Sequence, residues 1–462
     1  GTASPREVEE RVADALLARA GQTEQFAEAL PGLFQHERYL GKPPWERYRE
    51  NNLTTAKNEL LELAFVEAHH HYEGTDATEE QIAAYARTFY TAHVDEIVRV
   101  VSQALDWVRP STGRQLRTEL TNTEMLSVTR VAMEAVLAPH LRNPDGFHPW
   151  QRQNAEGNQA ALEALEGLYA EARAAYDLSA EGADAATVVR NWVTLALVGG
   201  VFDLNSPAIH AAYEAAKAGG RLAAFYKTHL LDDANRPLAT PEDEADLAGF
   251  IREFVTSGAR KTITVLFDNN LEGVFDLGLI QALLQANPHL TIKAIPKSRP
   301  VSNDFSFQDA ETMLAAAPFA ALRAFRDAGR FVLVPDGPTL QGIDLRHVSP
   351  AVHDALAAAD LLLTKGQANA ESTQGVGAAG IPVDRLHLLM GKGVGIQDFT
   401  GMSSATKPLV VARVEPGVAL GTDAQEKRTY SAIGAKPAKG KAEDKTIVVS
   451  MANLSDYRVA RL

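Results

Sequence analysis

The chain contains no cysteine among its 462 residues, which excludes disulfide bonds, thiolate nucleophiles and cysteine-ligated zinc or iron–sulfur sites. Positive charge is scarce, since 45 Lys and Arg stand against 59 Asp and Glu, a net charge of −14. This balance argues against nucleic acid or an anionic membrane as the main partner. No apolar run approaches the roughly 20 residues that a membrane-spanning helix needs, and the N-terminal stretch GTASPREVEERV is no signal peptide. We therefore expect a cytoplasmic protein.

The first 190 residues have the pattern of an all-helical region. Ala, Leu and Glu recur there with a period near 3.6, and most prolines fall between or near the ends of these runs. The predicted helices span residues 8–20, 58–72, 79–105, 124–141 and 158–176. An apolar run at 188–204 follows. Near its end it reaches a glycine pair and then Asp203, the first polar residue whose position suggests a functional role. We predict a helical N-terminal region or cap at 1–190 and an α/β domain at 191–462.

Beyond about residue 245, short apolar runs alternate with amphipathic ones. The predicted strands are 263–267, 291–295, 331–334, 361–363, 386–390, 409–414 and 446–451, and residues 435–445 form a low-complexity loop. Such alternation is typical of βαβ units. The predicted fold class is α/β, with a doubly wound, mostly parallel sheet flanked by helices.

The stretch 261–276, KTITVLFDNNLEGVFD, carries the first chemical signal. A β-branched, apolar run of strand length ends abruptly in Asp268, Asn269 and Asn270. Apolar residues then recur at helical spacing, which places the polar cluster at a strand-to-helix turn. In open α/β sheets, ligands bind at the carboxyl ends of the strands.

Two further polar clusters follow predicted strands. Asn303 and Asp304 come after the second strand, and the segment KGQANAE, residues 365–371, comes after DLLLT. In a parallel sheet all three strand ends meet one edge. Carboxylate and amide oxygens there suit Mg²⁺ or Mn²⁺ better than zinc, and Lys365 adds a positive charge for a phosphate. Taken singly, each acidic cluster could instead cap a helix, and the Lys-Gly pair could be a plain turn.

These residues together resemble a known family. DNNLEGVFD resembles the Asp-Asn-x-Gly-Glu…Asp motif of the metal-dependent damage-control phosphatases, also labelled acidic-residue methyltransferases. VSNDFSFQDA is similar to that family's Asn-Asp segment, and DLLLTKGQANAE to its Lys-Gly-x-x-Asn-x-Glu segment. The N-terminal WERYRENNLTTAKNELL is similar to a family helix, with lower specificity.

The resemblance implies a role for each matched residue. Asp268, Asn269 and Asp304 would hold a divalent metal ion, Mn²⁺ or Mg²⁺ first and Co²⁺ or Ni²⁺ as alternatives. Asp268 and Lys365 would be the catalytic residues. The substrate pocket would be lined by Asp203, Glu272, Asn303, Asn369 and Glu371. Glycines in GKGVG, residues 391–395, follow an apolar run, so Lys392 is a candidate second phosphate contact, with a plain glycine turn as the alternative.

Two positions depart from the family pattern. The glycine that precedes the motif glutamate is Leu271 here, so the backbone turn or the pocket width can differ. The family's Gly-Asn-x-x-Asp is GGVFD here, with Gly200 in place of the asparagine while Asp203 is kept. Both departures bear on the identity of the substrate more than on metal binding.

The function implied is hydrolysis of a small phosphorylated metabolite, a sugar phosphate being the first expectation, by metal-assisted attack of water. Direct attack by Asp268 to give an aspartyl phosphate is the alternative route. The Asp-x-Asp-x-Thr pattern that would favour this route is absent, because its second aspartate is replaced by Asn270. Two other functions stay open: an S-adenosylmethionine-dependent carboxyl methyltransferase, and a repurposed metal-binding member without turnover. The sequence GVGAAG at 375–380 matches a dinucleotide-binding pattern, but Ile381 and Pro382 follow where a helix should begin.

Overall fold

A computed structural model of the chain describes residues 44–108, 122–142, 147–199, 215–216, 218–221, 237–337, 341–343, 348–373, 381, 383–391, 408–416, 418–422 and 428–432. Several sequence predictions lie outside these residues. They are the helix at 8–20, Gly200 and Asp203, the glycine-rich stretch at 375–380, Lys392, the loop at 435–445 and the strand at 446–451.

The N-terminal region is helical, as the sequence predicts. Its helices are α1 (Pro44–His71), α2 (Glu79–Val108), α3 (Asn122–Leu137), α4 (Gln151–Tyr176) and α5 (Ala185–Gly199). Helices α1, α2 and α3 bury their apolar faces against one another in a core of their own. Helices α4 and α5 contribute to the main core, which includes the sheet. Residues 188–199 of the apolar run thus lie in the buried helix α5. The division into domains at residue 190 stays a prediction.

The second region contains a six-stranded, mostly parallel sheet. Its strands are β1 (Lys261–Leu266), β2 (Leu290–Ile295), β3 (Phe331–Leu333), β4 (Leu361–Lys365), β5 (Arg385–Met390) and β6 (Leu409–Val414), in the spatial order β3-β2-β1-β4-β5-β6. Only β6 runs antiparallel to its neighbour. Six of the predicted strands and the predicted fold class are confirmed. A separate hairpin of β7 (Val418–Thr422) and β8 (Arg428–Ala432) was not predicted.

Helices cover both faces of the sheet. They are α6 (Pro241–Phe250), α7 (Glu272–Ala286), α8 (Phe307–Leu314), α9 (Ala320–Asp327), α10 (Pro350–Ala357) and α11 (Gly366–Ser372), with a π-helical turn at Ile251–Thr256 and a 3₁₀ turn at Ala317–Phe319. Helix α7 is almost wholly buried, including its polar residues Glu272, Asp276 and Gln281, as expected of a central helix. Helix α10 packs in a separate core with Leu266, Ile295 and Leu362.

The strand order places a topological switch point between β1 and β4. From β1 the chain proceeds outward to β2 and β3, and it then returns to β4 on the other side of β1. At such a point the connections leave in opposite directions and open a crevice beyond the carboxyl ends of the strands. Asp268 follows β1 and Lys365 ends β4, so both lie at this crevice.

No helix in the described part of the chain is both long and apolar enough to cross a membrane.

Candidate active site at the carboxyl edge of the sheet

Two loops at the ends of β1 and β2 are joined to each other by backbone hydrogen bonds. Asn270 N donates to Asn303 O over 2.7 Å, and Phe305 N donates to Asp268 O over 2.7 Å. Asn269 and Asp304 form an antiparallel bridge. The two polar clusters that the sequence singled out are therefore neighbours in space, and their side chains are buried.

The side chain of Asn270 fastens the two loops. Its Nδ2 donates to the main-chain oxygens of Asn303, over 3.2 Å, and Asp304, over 2.8 Å. Its Oδ1 accepts a hydrogen bond of 2.8 Å from Asn158 Nδ2, on helix α4. Since both ends of the amide are used inside the protein, Asn270 has a structural role between the loops.

Neither acidic cluster caps a helix. Helix α7 has Leu271 at its N-cap position without a side-chain cap, and α8 is capped by Ser306, which forms a reciprocal capping box with Asp309. The capping alternatives for Asp268 and for Asn303–Asp304 are therefore wrong.

The backbone at Leu271 forms a γ-turn with positive φ. Its φ is 69° and its ψ −57°, and Glu272 N donates to Asn270 O over 2.9 Å. Such backbone conformations cost about 1–3 kcal/mol in a residue other than glycine. The Leu271 side chain is buried in the main core, and a Cβ on Gly157 would lie 3.2 Å from its Cδ1. Leucine thus occupies, at a cost, a conformation that suits glycine.

The amide of Asn269 is oriented by two carboxylates. Its Nδ2 donates to Asp268 Oδ2 over 3.0 Å and to Glu272 Oε1 over 2.8 Å. Both N–H bonds are consumed, so Oδ1 is the atom left for another ligand. Within the part of the chain described here, that oxygen accepts no hydrogen bond.

Lys365 lies buried beneath this turn, surrounded by protein oxygens. Its Nζ donates to Ala196 O over 2.9 Å and to Glu272 Oε2 over 3.1 Å, and it lies 2.9 Å from Asp276 Oδ1. Burial alone would lower the pKa of Lys365, but the charges of Asp276 and Glu272 raise it overall. The ammonium is therefore held in its charged form.

Asp276 is the least compensated carboxylate of this cluster. Burial raises its pKa above the usual range; Lys365 opposes this effect, and the neighbouring Glu272 adds to it. One buried cation faces two buried carboxylates, so the ionised form of Asp276 is costly.

The remaining residues of the predicted pocket lie on α11. Asn369 Nδ2 donates to Phe267 O over 2.7 Å and to Lys365 O over 2.9 Å, which ties the helix to the ends of β1 and β4. Glu371 Oε1 accepts a hydrogen bond of 2.8 Å from Gln367 Nε2. Both side chains are buried. Asp203, Gly200 and Lys392 lie outside the described residues.

Side chains of the N-terminal helices hydrogen-bond to the loop that follows β2. Glu59 Oε1, on α1, accepts hydrogen bonds from Ser302 Oγ over 3.1 Å and from Trp150 Nε1 over 3.2 Å. Arg130 Nη2, on α3, donates to Pro300 O over 2.6 Å. Ser302, with φ 51°, immediately precedes Asn303. Burial raises the pKa of Glu59 above its ordinary value, although the Arg130 charge and the two hydrogen bonds act in the opposite direction.

Sequence reasoning missed several residues that position the site. Asn158, Glu59 and Arg130 lie on helices more than 100 residues before the loops they contact, and no local pattern marks them. Gly366 and Asp276 were within the motifs but had no assigned role. Their positions within the motifs could have marked these two residues, since Asp276 is the last aspartate of the first motif and Gly366 is the glycine of the Lys-Gly motif.

The donor set fits a hard divalent cation. Asp268 and Asp304 supply carboxylates, and Asn269 presents an amide oxygen whose nitrogen is already engaged. The Asp268 carboxylate rests where a side chain on Gly366 would otherwise be, so the fold reserves space for it. In the described ranges no three His, Cys, Asp or Glu residues cluster as a metal site, which leaves the mixed carboxylate–amide set as the candidate. Oxygen ligands of this kind suit Mg²⁺ or Mn²⁺.

Fold and site together define a doubly wound α/β protein with a polar, oxygen-rich site at its switch point. The chain belongs to the family of the damage-control phosphatase ARMT1-like domain, whose sequence profile matches residues 69–385. The recognition made from the sequence motifs is thereby confirmed. Membership supports a phosphatase-type enzyme activity in general terms.

A solved structure shares the fold. It is the crystal structure of a DUF89 family protein from Pyrococcus horikoshii, with a TM-score of 0.50 and 15% sequence identity, and the match covers 79% of this chain and 97% of that one. No curated protein matches the chain.

Proposed function

We propose that the protein is a divalent-metal-dependent phosphatase that hydrolyses a small phosphorylated metabolite, with sugar phosphates as the first substrate class to test. The observation that supports this most is the joining of the β1 and β2 loops, which brings Asp268, Asn269 and Asp304 together at the switch point. A small substrate, and no nucleic acid or membrane, also fits the acidic composition.

In this proposal Asp268, Asn269 and Asp304 hold the cation, Mn²⁺ or Mg²⁺ first. A bound cation of this kind polarises phosphoryl oxygens and lowers the pKa of a coordinated water. Asn269 is kept in its binding orientation by Glu272, which accepts from its Nδ2. Glu272 is in turn fixed by Lys365 through its other carboxylate oxygen.

Lys365 is proposed to offset negative charge that develops in the transition state. Three protein oxygens lie within 3.1 Å of its Nζ, so direct contact with a phosphate requires one of them to move away. Without such movement the lysine acts through its field and through the position of Glu272. We propose direct attack of water in preference to an aspartyl phosphate on Asp268.

The test is phosphate release from a panel of sugar phosphates and phosphorylated cofactors, with Mg²⁺, Mn²⁺, Co²⁺ and Ni²⁺ in turn. Wild type is compared with Asp268→Asn and with the control Asp360→Asn, an exposed aspartate that precedes the opposite end of β4. Metal-dependent turnover that Asp268→Asn abolishes and Asp360→Asn retains is the expected result.

Two other outcomes would replace the proposal. Metal binding without turnover on any compound would favour a repurposed family member, for which the enclosed Lys365 and the strained Leu271 are the supporting features. Tight binding of S-adenosylmethionine with methyl transfer to carboxylates would favour the methyltransferase.

A further inference from the structure

We propose that Asn158 is a positioning residue for the cation site: it holds the Asn270–Leu271 backbone in the γ-turn that aims Asn269 and Glu272. The inference rests on the proposed function for its consequence in metal binding. Its structural part can be tested on the metal-free protein.

The side-chain amide of Asn158 forms hydrogen bonds with both Asn270 and Leu271. Asn158 Oδ1 accepts a hydrogen bond of 2.6 Å from Leu271 N, and Asn158 Nδ2 donates over 2.8 Å to Asn270 Oδ1. Asn158 is 1% exposed, so water cannot easily replace either bond. The donor and the acceptor of a single side chain are matched to two consecutive residues of the loop.

The turn needs such a partner because Leu271 is not a glycine. A leucine at φ 69° relaxes to negative φ unless its surroundings hold it. Two contacts with α4 do so: the hydrogen bond that Leu271 N donates to Asn158 Oδ1, and the close approach of Gly157 to the Leu271 side chain. Helix α4 therefore fixes a backbone conformation that the local sequence disfavours.

Relaxation of the turn would reach the candidate ligands directly. Leu271 lies between Asn270, which fastens the Asp304 loop, and Glu272, which orients Asn269. A change of φ at Leu271 would rotate the peptide group that leads to Glu272 and would shift both partners. Loss of an outer-shell partner of this kind typically weakens metal affinity by about 10- to 100-fold.

The first experiment is hydrogen–deuterium exchange on the metal-free protein. In Asn158→Ala the peptide that contains residues 268–275 should lose protection, because the Leu271 amide loses its acceptor. The matched control is Asn154→Ala, which removes a buried asparagine one turn earlier on α4 that contacts His148 and not the turn. Equal protection of this peptide in the two variants would overturn the positioning role.

The second experiment is calorimetric titration with Mn²⁺. We expect Asn158→Ala to weaken binding about 10-fold or more, and Asn154→Ala to leave it near the wild-type value. Adding Leu271→Gly to Asn158→Ala should recover part of the lost affinity, because glycine adopts positive φ without strain. A purely structural loss would not be rescued by a substitution that removes a buried leucine.

Each outcome separates the two proposals. If wild type binds no Mn²⁺ but exchange in Asn158→Ala is faster, the metal site fails and the turn-holding role stands. Should wild type bind Mn²⁺ while Asn158→Ala binds equally well, the positioning role is wrong. If Asn158→Ala does not fold, the isosteric Asn158→Asp takes its place, because it keeps the acceptor for Leu271 N and loses the donor to Asn270. Its 268–275 peptide should be less protected than in the wild type, and wild-type protection there would overturn the role of the donor.

Discussion

A Cβ atom on Gly366 would lie 1.7 Å from Oδ2 of Asp268 and 2.0 Å from its Cγ. The first residue of α11 therefore leaves the space in which the carboxylate at the end of β1 sits. Gly366 also has φ +76°, a backbone conformation that L residues rarely adopt. The Lys-Gly pair at the end of β4 thus adjoins the candidate site, since its glycine leaves room for the candidate ligand Asp268.

Gly366→Ala should displace the Asp268 carboxylate and lower the Mn²⁺ affinity by about 10-fold or more, because a clash at 1.7 Å cannot be absorbed without moving the ligand. The free energy of unfolding should also fall by about 1–3 kcal/mol from the positive φ alone. Calorimetric titration and chemical denaturation measure the two effects.

Gly329→Ala is the matched control, because Gly329 has φ +71° but open space around its Cα. It should carry the backbone cost without the loss of Mn²⁺ affinity. Equal affinity losses in the two variants would show that the contact with Asp268 is irrelevant.

Lys365→Met should destabilise the protein by about 3–5 kcal/mol, since it leaves Glu272 and Asp276 buried without their cation. Asp276→Asn should cost much less, because burial already disfavours the ionised form of Asp276. The double variant should be more stable than Lys365→Met. Urea denaturation of all three tests this order, and a double variant less stable than Lys365→Met would contradict it.

Arg130→Met should weaken Mn²⁺ binding about 10-fold although Arg130 lies on the helical region. Its guanidinium donates to Pro300 O, in the loop that carries Asp304, and its charge offsets the buried Glu59. Arg99→Met, on the partly exposed side of α2, is the control and should change the free energy of unfolding by no more than about 0.5 kcal/mol. Unchanged Mn²⁺ affinity in Arg130→Met would mean that the helices do not support the loop.

The stability of the protein should fall as pH falls from about 6.5 towards 3. Burial, and then the charge of Arg130, lower the pKa of His148 to about 3. Below pH 6.5 the unfolded chain binds a proton at this histidine that the folded chain does not, so stability is lost on acidification by at most about 1.4 kcal/mol per pH unit. His148→Gln should show a shallower slope in urea denaturation across that window, and an identical slope would contradict the assignment.

The alternation of apolar and amphipathic runs in this chain predicted the class of fold. Buried parallel strands are apolar throughout and short, and each polar cluster lies at the end of a strand or in the loop that follows it, so Asp268, Asp304 and Lys365 could be placed at one edge of the sheet. The hairpin β7–β8 escaped this reasoning, because short two-stranded ribbons carry weak patterns.

The tertiary structure decided what each polar residue does. Asn269 and Asn270 are adjacent and chemically identical, yet Asn269 donates from Nδ2 to two carboxylates, whereas the Asn270 side chain is hydrogen-bonded between two loops. The difference depends on Glu272, three residues beyond Asn269, and on Asn158 and the carbonyl groups of the second loop, which folding brings from distant parts of the chain. Hydrogen-bond partners at such separations leave no periodic pattern in a sequence, whereas burial does. For that reason the sequence by itself determined the helices, the strands and the fold class, and only the tertiary structure decided which groups each polar side chain contacts.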